Sequence, residues 1–236
     1  MKRVLAERLE ALGERYGLPE GAVGQLDRLL LALAAEPDPP TTIREPLAAA
    51  DQHLADSLSG LDFAQLRSAD RLADLGSGAG FPGLPLAIAL PEASVDLVEA
   101  SRRKCDVIGR LIDAAAIGNA RPLALRAEEL AAGEGRDTYA AVTARALAPL
   151  AVIVEYAGPL LRLGGALVAW KGERNEAEEA AGDAAAAIVG LQRAETRQVF
   201  PYEGSLNLNL YLYLKDRSTP NHFPRRPGIA LKRPLA

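Results

Sequence analysis

Residues 74–83 are Asp74-Leu75-Gly76-Ser77-Gly78-Ala79-Gly80-Phe81-Pro82-Gly83, and they join two apolar segments, residues 71–73 and 84–90. The pattern predicts a strand that turns through glycines into a helix. Glycine has no Cβ, so such a turn brings bare backbone beside a ligand, and the first N–H groups of the helix point at that ligand. Glu99 ends the next apolar run. A glycine loop with an acid about 20 positions later is typical of nucleoside sites in doubly wound α/β folds.

The spacing of the glycines favours one nucleoside cofactor over another. The dinucleotide fingerprint is G-x-G-x-x-G, whereas these glycines are spaced G-x-G-x-G and Phe81 stands where the last fingerprint glycine would be. Asp74 would repel a pyrophosphate but suits an ammonium group, and S-adenosylmethionine carries an ammonium and no phosphate. The stretch resembles the first motif of S-adenosylmethionine-dependent methyltransferases, in which an acid like Glu99 accepts hydrogen bonds from the ribose hydroxyls. A dinucleotide site and a purely structural turn stay open as alternatives.

The composition indicates a soluble protein with one large domain, or one domain and a smaller appendage. Of its 236 residues, 49% are hydrophobic and 25% are charged, which suits a buried core and an ordinary surface. No run approaches the roughly 18 apolar residues that span a bilayer, and the N-terminus shows no secretion signal. One cysteine and two histidines allow no internal disulfide and argue against a zinc site. We therefore expect a cytoplasmic protein with no metal and no membrane partner.

Positive charge is concentrated at the C-terminus. The whole chain carries a net charge of −4, yet residues 215–236 carry +5 and leave −9 to the rest. Concentrated cations on an acidic body predict either an element that contacts phosphates or a solvated, disordered tail, and charge alone does not separate the two. The cations are Lys215, Arg217, Arg225, Arg226, Lys232 and Arg233, with Asp216 as the one acid.

The hydrophobic pattern divides the chain into a helical N-terminus and an alternating α/β region. Apolar spacing predicts helices over residues 2–16, 20–35 and 46–59, the last with Gly60 at its C-cap. From residue 71 strands and helices alternate, which indicates a parallel sheet covered on both faces. The last two strands follow each other near Gly204-Ser205, which predicts an antiparallel hairpin at one edge. The predicted strands are 71–75, 94–98, 121–125, 139–144, 165–170, 195–200 and 206–214, and the helices among them are 82–90, 101–116, 149–161 and 173–190.

The predicted fold class is therefore α/β. A mostly parallel, Rossmann-like sheet with a C-terminal antiparallel hairpin and an N-terminal helical cap resembles the architecture of S-adenosylmethionine-dependent methyltransferases. We predict a helical cap over residues 1–60, a methyltransferase domain over 61–217 and a basic C-terminal tail over 218–236.

Several further segments are similar to those of one family. The most specific are Phe81-Pro82-Gly83-Leu84-Pro85 and Arg145-Ala146, and the similarity is dense from residue 71 to residue 172. It extends to residues 53–58, 99–104, 126–129, 143–150, 171–172, 223–228 and 232–234. These segments resemble the bacterial 16S ribosomal RNA guanine-N7 methyltransferases, also called glucose-inhibited division protein B. Where many members carry an aromatic-rich segment that ends in Asn-Leu-Thr, this chain has Pro39-Pro40-Thr41-Thr42-Ile43.

The resemblance implies transfer of a methyl group from S-adenosylmethionine to N7 of a guanine in 16S ribosomal RNA. The partner would be that RNA or the small ribosomal subunit, and we expect a monomer. Guanine N7 carries a lone pair and no proton, so attack needs no general base, and the sequence identifies no catalytic residue. The alternatives are a methyltransferase acting on a small molecule or a protein, a nicotinamide-dependent oxidoreductase and a non-catalytic binding module. The expected cofactor-binding residues are Gly76, Phe81, Ala127, Glu128, Arg145, Asp74, Gly78 and Glu99.

The resemblance also implies roles for these residues. Gly76 would allow backbone approach, Phe81 would line the pocket, and the pair Ala127-Glu128 would lie beside the adenine. Arg145, at the end of the fourth predicted strand, could pair with the methionine carboxylate or with a target phosphate.

Other polar residues keep two interpretations each. His53 with Asp56 lines the pocket or forms a helix-surface pair, and the residues 102–104 reach phosphate or solvate a helix face. Lys171-Gly172 is placed where it could face the RNA, and Cys105 is expected to be a buried small residue rather than a nucleophile.

Overall fold

The computed structural model describes residues 2–236. Its N-terminal third is helical. The first two predicted helices are confirmed, and the third predicted helix is divided into several short segments. A π-helical segment, Ala50–Ala55, joins α3 to α4, and a 3-10 segment, Ser59–Asp62, follows α4. The helices are α1 (Lys2–Tyr16), α2 (Ala22–Ala35), α3 (Pro46–Ala49), α4 (Asp56–Leu58) and α5 (Ala64–Arg67).

The predicted helix end at Gly60 is wrong, because the chain stays helical through the 3-10 segment. Gly60 has another use. A Cβ at this position would lie 2.5 Å from Cζ2 of Trp170, so the missing side chain makes room for the indole.

All seven predicted strands are confirmed, although three of them begin earlier than predicted. Three short helices were not among the predicted helices, because segments of four to six residues are too short for a recognisable 3.6-residue period. They are Ala64–Arg67, Ala127–Ala132 and Ile229–Lys232. The strands are β1 (Arg71–Leu75), β2 (Ser94–Val98), β3 (Ala120–Leu123), β4 (Tyr139–Arg145), β5 (Leu161–Lys171), β6 (Leu191–Val199) and β7 (Leu208–Lys215). The remaining helices are α6 (Gly83–Ala89), α7 (Arg102–Ala115), α8 (Ala127–Ala132), α9 (Leu150–Ala157), α10 (Glu176–Val189) and α11 (Ile229–Lys232).

The strands form one sheet in the order β3-β2-β1-β4-β5-β7-β6. The first five strands of this order run parallel, and β7 pairs antiparallel with both β5 and β6. The predicted mostly parallel sheet with a C-terminal hairpin is thus confirmed. The strand order reverses between β1 and β4, and in such sheets ligands bind outside the carboxyl ends of the strands at this point.

Each face of the sheet is covered by its own hydrophobic cluster. Leu9 of α1, Leu26 of α2 and Leu54 of the π-helical segment pack in one cluster with Leu72 of β1 and Val95 of β2. The N-terminal helices therefore share their core with the sheet. The other face is covered mainly by α8, α9 and α10, with Ala230 of α11. The division into domains at residues 60 and 217 stays a prediction.

The C-terminal segment folds back over α9, so the hypothesis of a disordered tail is wrong. Arg225 forms a bidentate ion pair with the buried Glu155 of α9. Its Nε and Nη2 lie 2.6 and 2.5 Å from the two carboxylate oxygens. Lys215 is buried, where its ammonium donates to the carbonyl oxygens of Gly158 and Val189, and burial lowers its pKa to about 8. Lys215 and Arg225, two of the six cations in residues 215–236, thus stabilise the fold.

Candidate active site

A cavity of about 310 Å³ lies at the carboxyl ends of β1, β2 and β4, where the strand order reverses. Four of the eight predicted cofactor-binding residues line it: Gly76, Glu99, Ala127 and Glu128. The other lining residues are Leu75, Val98, Ala100, Lys104, Leu125, Arg126, Ala146, Leu147, Ala148, Tyr156 and Leu231. Residues that lie far apart in the sequence thus converge on one volume.

The glycine loop keeps its backbone open toward the cavity. Gly76 has a φ of +67°, a conformation that a β-branched side chain rarely adopts. A Cβ at Gly76 would also lie 2.6 Å from Cδ1 of Leu147, another lining residue. The next glycine, Gly78, has a φ of +59° and donates its N–H to the Glu99 carboxylate at 3.2 Å.

Glu99 is placed by backbone donors on two sides. Its carboxylate accepts from the N–H groups of Gly78 and Ser101, the latter at 2.9 Å, and the Lys104 ammonium lies 3.6 Å away. The residue is only 8% exposed, yet it lines the cavity. An oriented carboxylate at the end of β2 can accept hydrogen bonds from a pair of hydroxyls.

Asp74 lies behind the loop and not in the cavity wall. Its carboxylate is fully buried and accepts from the Thr143 hydroxyl at 2.8 Å and from the Gly83 N–H at 3.1 Å. Burial raises its pKa to about 6 against the opposing effect of these hydrogen bonds. Asp74 thereby ties β1, β4 and the start of α6 together, and its direct contact with an ammonium group stays a prediction.

The α8 end of the cavity is closed by the C-terminal segment. Ala127 is the first residue of α8, so its N–H has no partner within the helix. Glu128 is buried and accepts a hydrogen bond from the Gly228 N–H at 2.8 Å. Leu231 of α11 lines the same cavity. Glu128, one residue of the predicted pair at the adenine position, is therefore held by the C-terminal segment.

Arg145, Phe81, His53 and Asp56 form a second cluster beside the cavity. The Arg145 guanidinium donates to Asp56 at 2.6 Å and to Nδ1 of His53 at 3.4 Å. The His53 ring stacks on Phe81 with the ring centroids 4.4 Å apart. His53 and Asp56 are 7% and 9% exposed, so their interpretation as a helix-surface pair is wrong. Neither Phe81 nor Arg145 lines the cavity described above. Their contacts with the cofactor stay predictions.

This cluster holds His53 in its neutral form. Burial, followed by the nearby Arg145 charge, lowers the pKa of His53 to about 4. Because Arg145 donates to Nδ1, the ring proton belongs on Nε2, which lies 3.1 Å from the Thr41 hydroxyl. Burial also raises the pKa of Asp56, with Arg145 opposing that shift.

We expect His53 to destabilise the fold on acidification. The unfolded histidine takes up a proton near pH 6.5 and the folded one only near pH 4, so the free energy of unfolding falls as the pH drops through this window, by up to about 3 kcal/mol. Urea unfolding of the wild type and of His53→Gln between pH 7.5 and pH 4 measures the effect. Asp74, whose pKa is raised, contributes the opposite slope in both proteins, so their difference isolates His53. Parallel stability curves would contradict the assignment.

The remaining predicted residues lie around the two sites. Lys171 pairs with Glu178 at 2.6 Å and donates to the Ala148 carbonyl oxygen. Arg102 and Arg103 are exposed. Cys105 is buried, its thiol donates to the Glu99 carbonyl oxygen, and burial raises its pKa. This placement agrees with a small packed residue.

Sequence reasoning missed three residues that shape the site. Thr143 is a hydrogen-bond partner of Asp74, Trp170 donates its indole N–H to the Asp56 carbonyl oxygen, and Leu231 lines the cavity. The alternation of β4 and β5 indicates which side chains are buried, but no local pattern indicates which distant residue they meet.

Residues 2–236 contain neither a cluster of metal ligands nor a membrane-spanning helix. Within that range no group of three or more histidine, cysteine or acidic side chains is placed to hold a metal ion. In the same range no helix combines the length and apolar character needed to cross a membrane.

The sheet order, the glycine loop and the acid after β2 define an S-adenosylmethionine-dependent methyltransferase of the Rossmann-like class. Among solved structures, the chain is similar to a fibrillarin of Aeropyrum pernix crystallised with S-adenosylmethionine, with a TM-score of 0.54 and 17% identity over 68% of this chain and 73% of that one. A fibrillarin of Methanococcus jannaschii gives a TM-score of 0.53 and 15% identity over 69% of this chain and 74% of that one. At these identities the likeness concerns the fold alone.

The sequence comparisons identify the family. The family described as "GidB: rRNA small subunit methyltransferase G" matches residues 39–202. Proteins named ribosomal RNA small subunit methyltransferase G are 41% identical in Rubrobacter xylanophilus, over 81% of this chain and 75% of that protein, and 34% identical in Clostridium novyi, over 83% and 81%. The relative in Chloroflexus aggregans is 41% identical over 83% of this chain and 82% of its own length. The chain belongs to the rRNA small subunit methyltransferase G family.

Proposed function

We propose that the cavity holds S-adenosylmethionine. Glu99 accepts hydrogen bonds from the ribose hydroxyls, and the free N–H of Ala127 meets a ring nitrogen of the adenine, with Glu128 beside it. Gly76 and Gly78 let the methionine part lie against bare backbone. The observation that carries the proposal is the convergence of Gly76, Glu99, Ala127 and Glu128 on one cavity.

The neighbouring residues support this site from outside the cavity. We propose that Asp74 acts by fixing the glycine loop, through its bonds to Thr143 and Gly83. We propose that the partly exposed guanidinium of Arg145 binds the methionine carboxylate. This guanidinium lies over the Phe81 ring, with its carbon 5.9 Å from the ring centroid.

We propose that the methyl acceptor is N7 of a guanine in 16S ribosomal RNA. S-adenosylmethionine supplies a methyl group on a sulfonium: the methyl–sulfur bond breaks as the bond to N7 forms, and the positive charge passes from sulfur to the guanine. No proton moves, so the chain needs no general base. Its contribution is alignment of the two reactants and a site whose dipoles are oriented in advance. The rigid placement of Glu99 and of the glycine loop suits that task.

Three exposed cations of the tail are available for the RNA. Arg226, Lys232 and Arg233 make no ion pair with any described residue, and Lys232 directly follows Leu231, which lines the cavity. We propose that they bind phosphates near the target guanine, with an affinity that falls as the salt concentration rises. Lys215 and Arg225 are excluded from this role by their buried contacts.

We further propose that the enzyme acts as a monomer on 16S ribosomal RNA, free or within the small subunit, in the cytoplasm.

Transfer of a labelled methyl group from S-adenosylmethionine tests the function. We expect the label in the RNA of under-methylated small subunits, with less transfer as the salt concentration rises. Label that enters only protein or a small molecule would favour the alternative methyltransferase. A Gly76→Val protein serves as the inactive control, because its side chain blocks backbone approach.

A further inference from the structure

A second, smaller cavity lies beside the cofactor cavity. It measures about 210 Å³ and is lined by Asp56, Arg145, Ala146, Trp170, Lys171, Gly172 and Leu208. Ala146 lines both cavities, so the two cavities adjoin at this residue. A methyl acceptor must lie in such a position, because the reacting atoms have to approach to about 3–3.5 Å.

The shared wall has an unusual backbone. Ala146 has a φ of +53°, in the left-handed region that costs an ordinary residue about 1–2 kcal/mol. Strain of this kind persists where the surrounding structure holds it, commonly at ligand sites. Here it occurs directly after β4, at the residue that lines both cavities.

The small cavity offers an acceptor group that is not used by the fold. One oxygen of Asp56, Oδ2, binds Arg145 at 2.6 Å. The Arg145 contact is the side-chain hydrogen bond that Asp56 makes within the described range, 2–236, and it leaves Oδ1 open to the cavity, with 13% of the side chain exposed. A nearly buried carboxylate oxygen that lines a cavity requires a donor from water or from a ligand.

The other walls suit a flat base. Trp170 and Leu208 supply apolar surface, and the indole N–H of Trp170 fixes the backbone carbonyl of Asp56 at 2.8 Å. Gly60 makes room for this ring, because a Cβ at that position would lie 2.5 Å from Cζ2 of Trp170. Enzymes that act on a base read its Watson–Crick edge by hydrogen bonds and stack it against apolar side chains.

We propose that the small cavity binds the target guanine, with Asp56 reading its Watson–Crick edge. Guanine presents two neighbouring donors there, N1–H and the N2 amino group, whereas adenine presents an acceptor at N1 that a carboxylate repels. With that edge on Asp56, N7 lies on the opposite side of the purine and is free to face the cofactor. This inference rests on the proposed function and adds the residue that selects the base.

The single tryptophan of the chain provides a direct reporter, because it lines the small cavity. Protein saturated with S-adenosylhomocysteine is titrated with guanosine 5′-monophosphate and, separately, with adenosine 5′-monophosphate, while Trp170 fluorescence is followed. We expect a saturable change with the guanine nucleotide at concentrations at least tenfold below those needed for the adenine nucleotide. No saturable change, or an equal response to both nucleotides, would overturn the inference.

Asp56→Asn separates base reading from positioning of Arg145. We expect the preference for the guanine nucleotide to disappear, while the affinity for S-adenosylhomocysteine stays within about twofold of the wild type. Asp51→Asn is the matched control, because Asp51 lies in the adjoining π-helical segment and pairs with Arg8 outside the cavity. If Asp56→Asn keeps the guanine preference and loses cofactor affinity instead, Asp56 positions Arg145 and the inference fails.

The proposed function is tested separately by the transfer of label to small-subunit RNA, which requires no free nucleotide. If the wild type methylates guanine N7 and the Asp56→Asn protein does so with the same kcat/KM, the proposed function stands. This inference alone is then refuted.

Discussion

Gly76→Val is expected to abolish cofactor binding. Wild-type protein at 100 times the dissociation constant of S-adenosylmethionine should gain about 2.7 kcal/mol of stability, whereas the variant should gain none. Two effects combine, because valine is strained at the φ of +67° and its side chain projects toward Leu147 within the cavity lining. An affinity loss of at least about a hundredfold, or about 2.8 kcal/mol, follows. Thermal unfolding with and without the ligand measures it.

Gly17→Val is the matched control for backbone strain. Gly17 has a φ of +60°, no heavy atom lies within 4 Å of the position of its Cβ, and it lies between α1 and α2, away from the cavity. This variant should lose stability and keep the full stabilisation by S-adenosylmethionine. The same series with NAD should give no stabilisation of either protein. Normal S-adenosylmethionine binding by Gly76→Val would remove Gly76 from the site.

Arg225→Ala is expected to lower the free energy of unfolding by about 3 kcal/mol. The change leaves the Glu155 carboxylate, whose side chain is 3% exposed, buried without its partner, and breaking a buried ion pair in this way typically costs about 3–5 kcal/mol. The lower figure applies because the Arg225 side chain is itself 23% exposed. Urea unfolding measures the loss. Weaker cofactor binding should accompany it, since the same segment carries Gly228 and Leu231 to the cavity.

Arg226→Ala controls for the loss of a tail charge. Arg226 is exposed and adjacent to Arg225, so its removal should change stability by less than about 0.5 kcal/mol. A double variant, Arg225→Met with Glu155→Leu, should recover much of the loss because no charge is then left buried. A cost below about 1 kcal/mol for Arg225→Ala would show that the ion pair does not anchor the tail.

The sheet was predictable from sequence because its signals are local. Period-2 and apolar runs mark the strands, and the G-x-G-x-G spacing with Glu99 marks the turn between β1 and α6. Of the four predicted residues that line the cavity, Gly76 and Glu99 belong to this local motif, whereas Ala127 and Glu128 were predicted from the family resemblance. The strand order was not predicted, since pairing of β1 with β4 joins segments about 70 residues apart.

The features that were not predicted from the sequence depend on contacts between residues far apart in the chain. Burial of the His53–Asp56 pair requires Arg145, which lies 89 positions from Asp56, and docking of the tail requires Glu155, which lies 70 positions from Arg225. Gly60 was assigned to a helix end, yet its missing Cβ serves Trp170. No pattern within one helix or strand carries this information, because each interaction is decided by two surfaces that meet only in the folded chain.

The most direct measurement is the identity and position of the modified nucleoside. Under-methylated small subunits are incubated with the protein and labelled S-adenosylmethionine, and the 16S ribosomal RNA is digested and mapped. We predict a single N7-methylguanosine that is absent when Gly76→Val replaces the wild type. A label confined to protein or small molecules, or a methyl group on another atom or another base, would contradict the assignment.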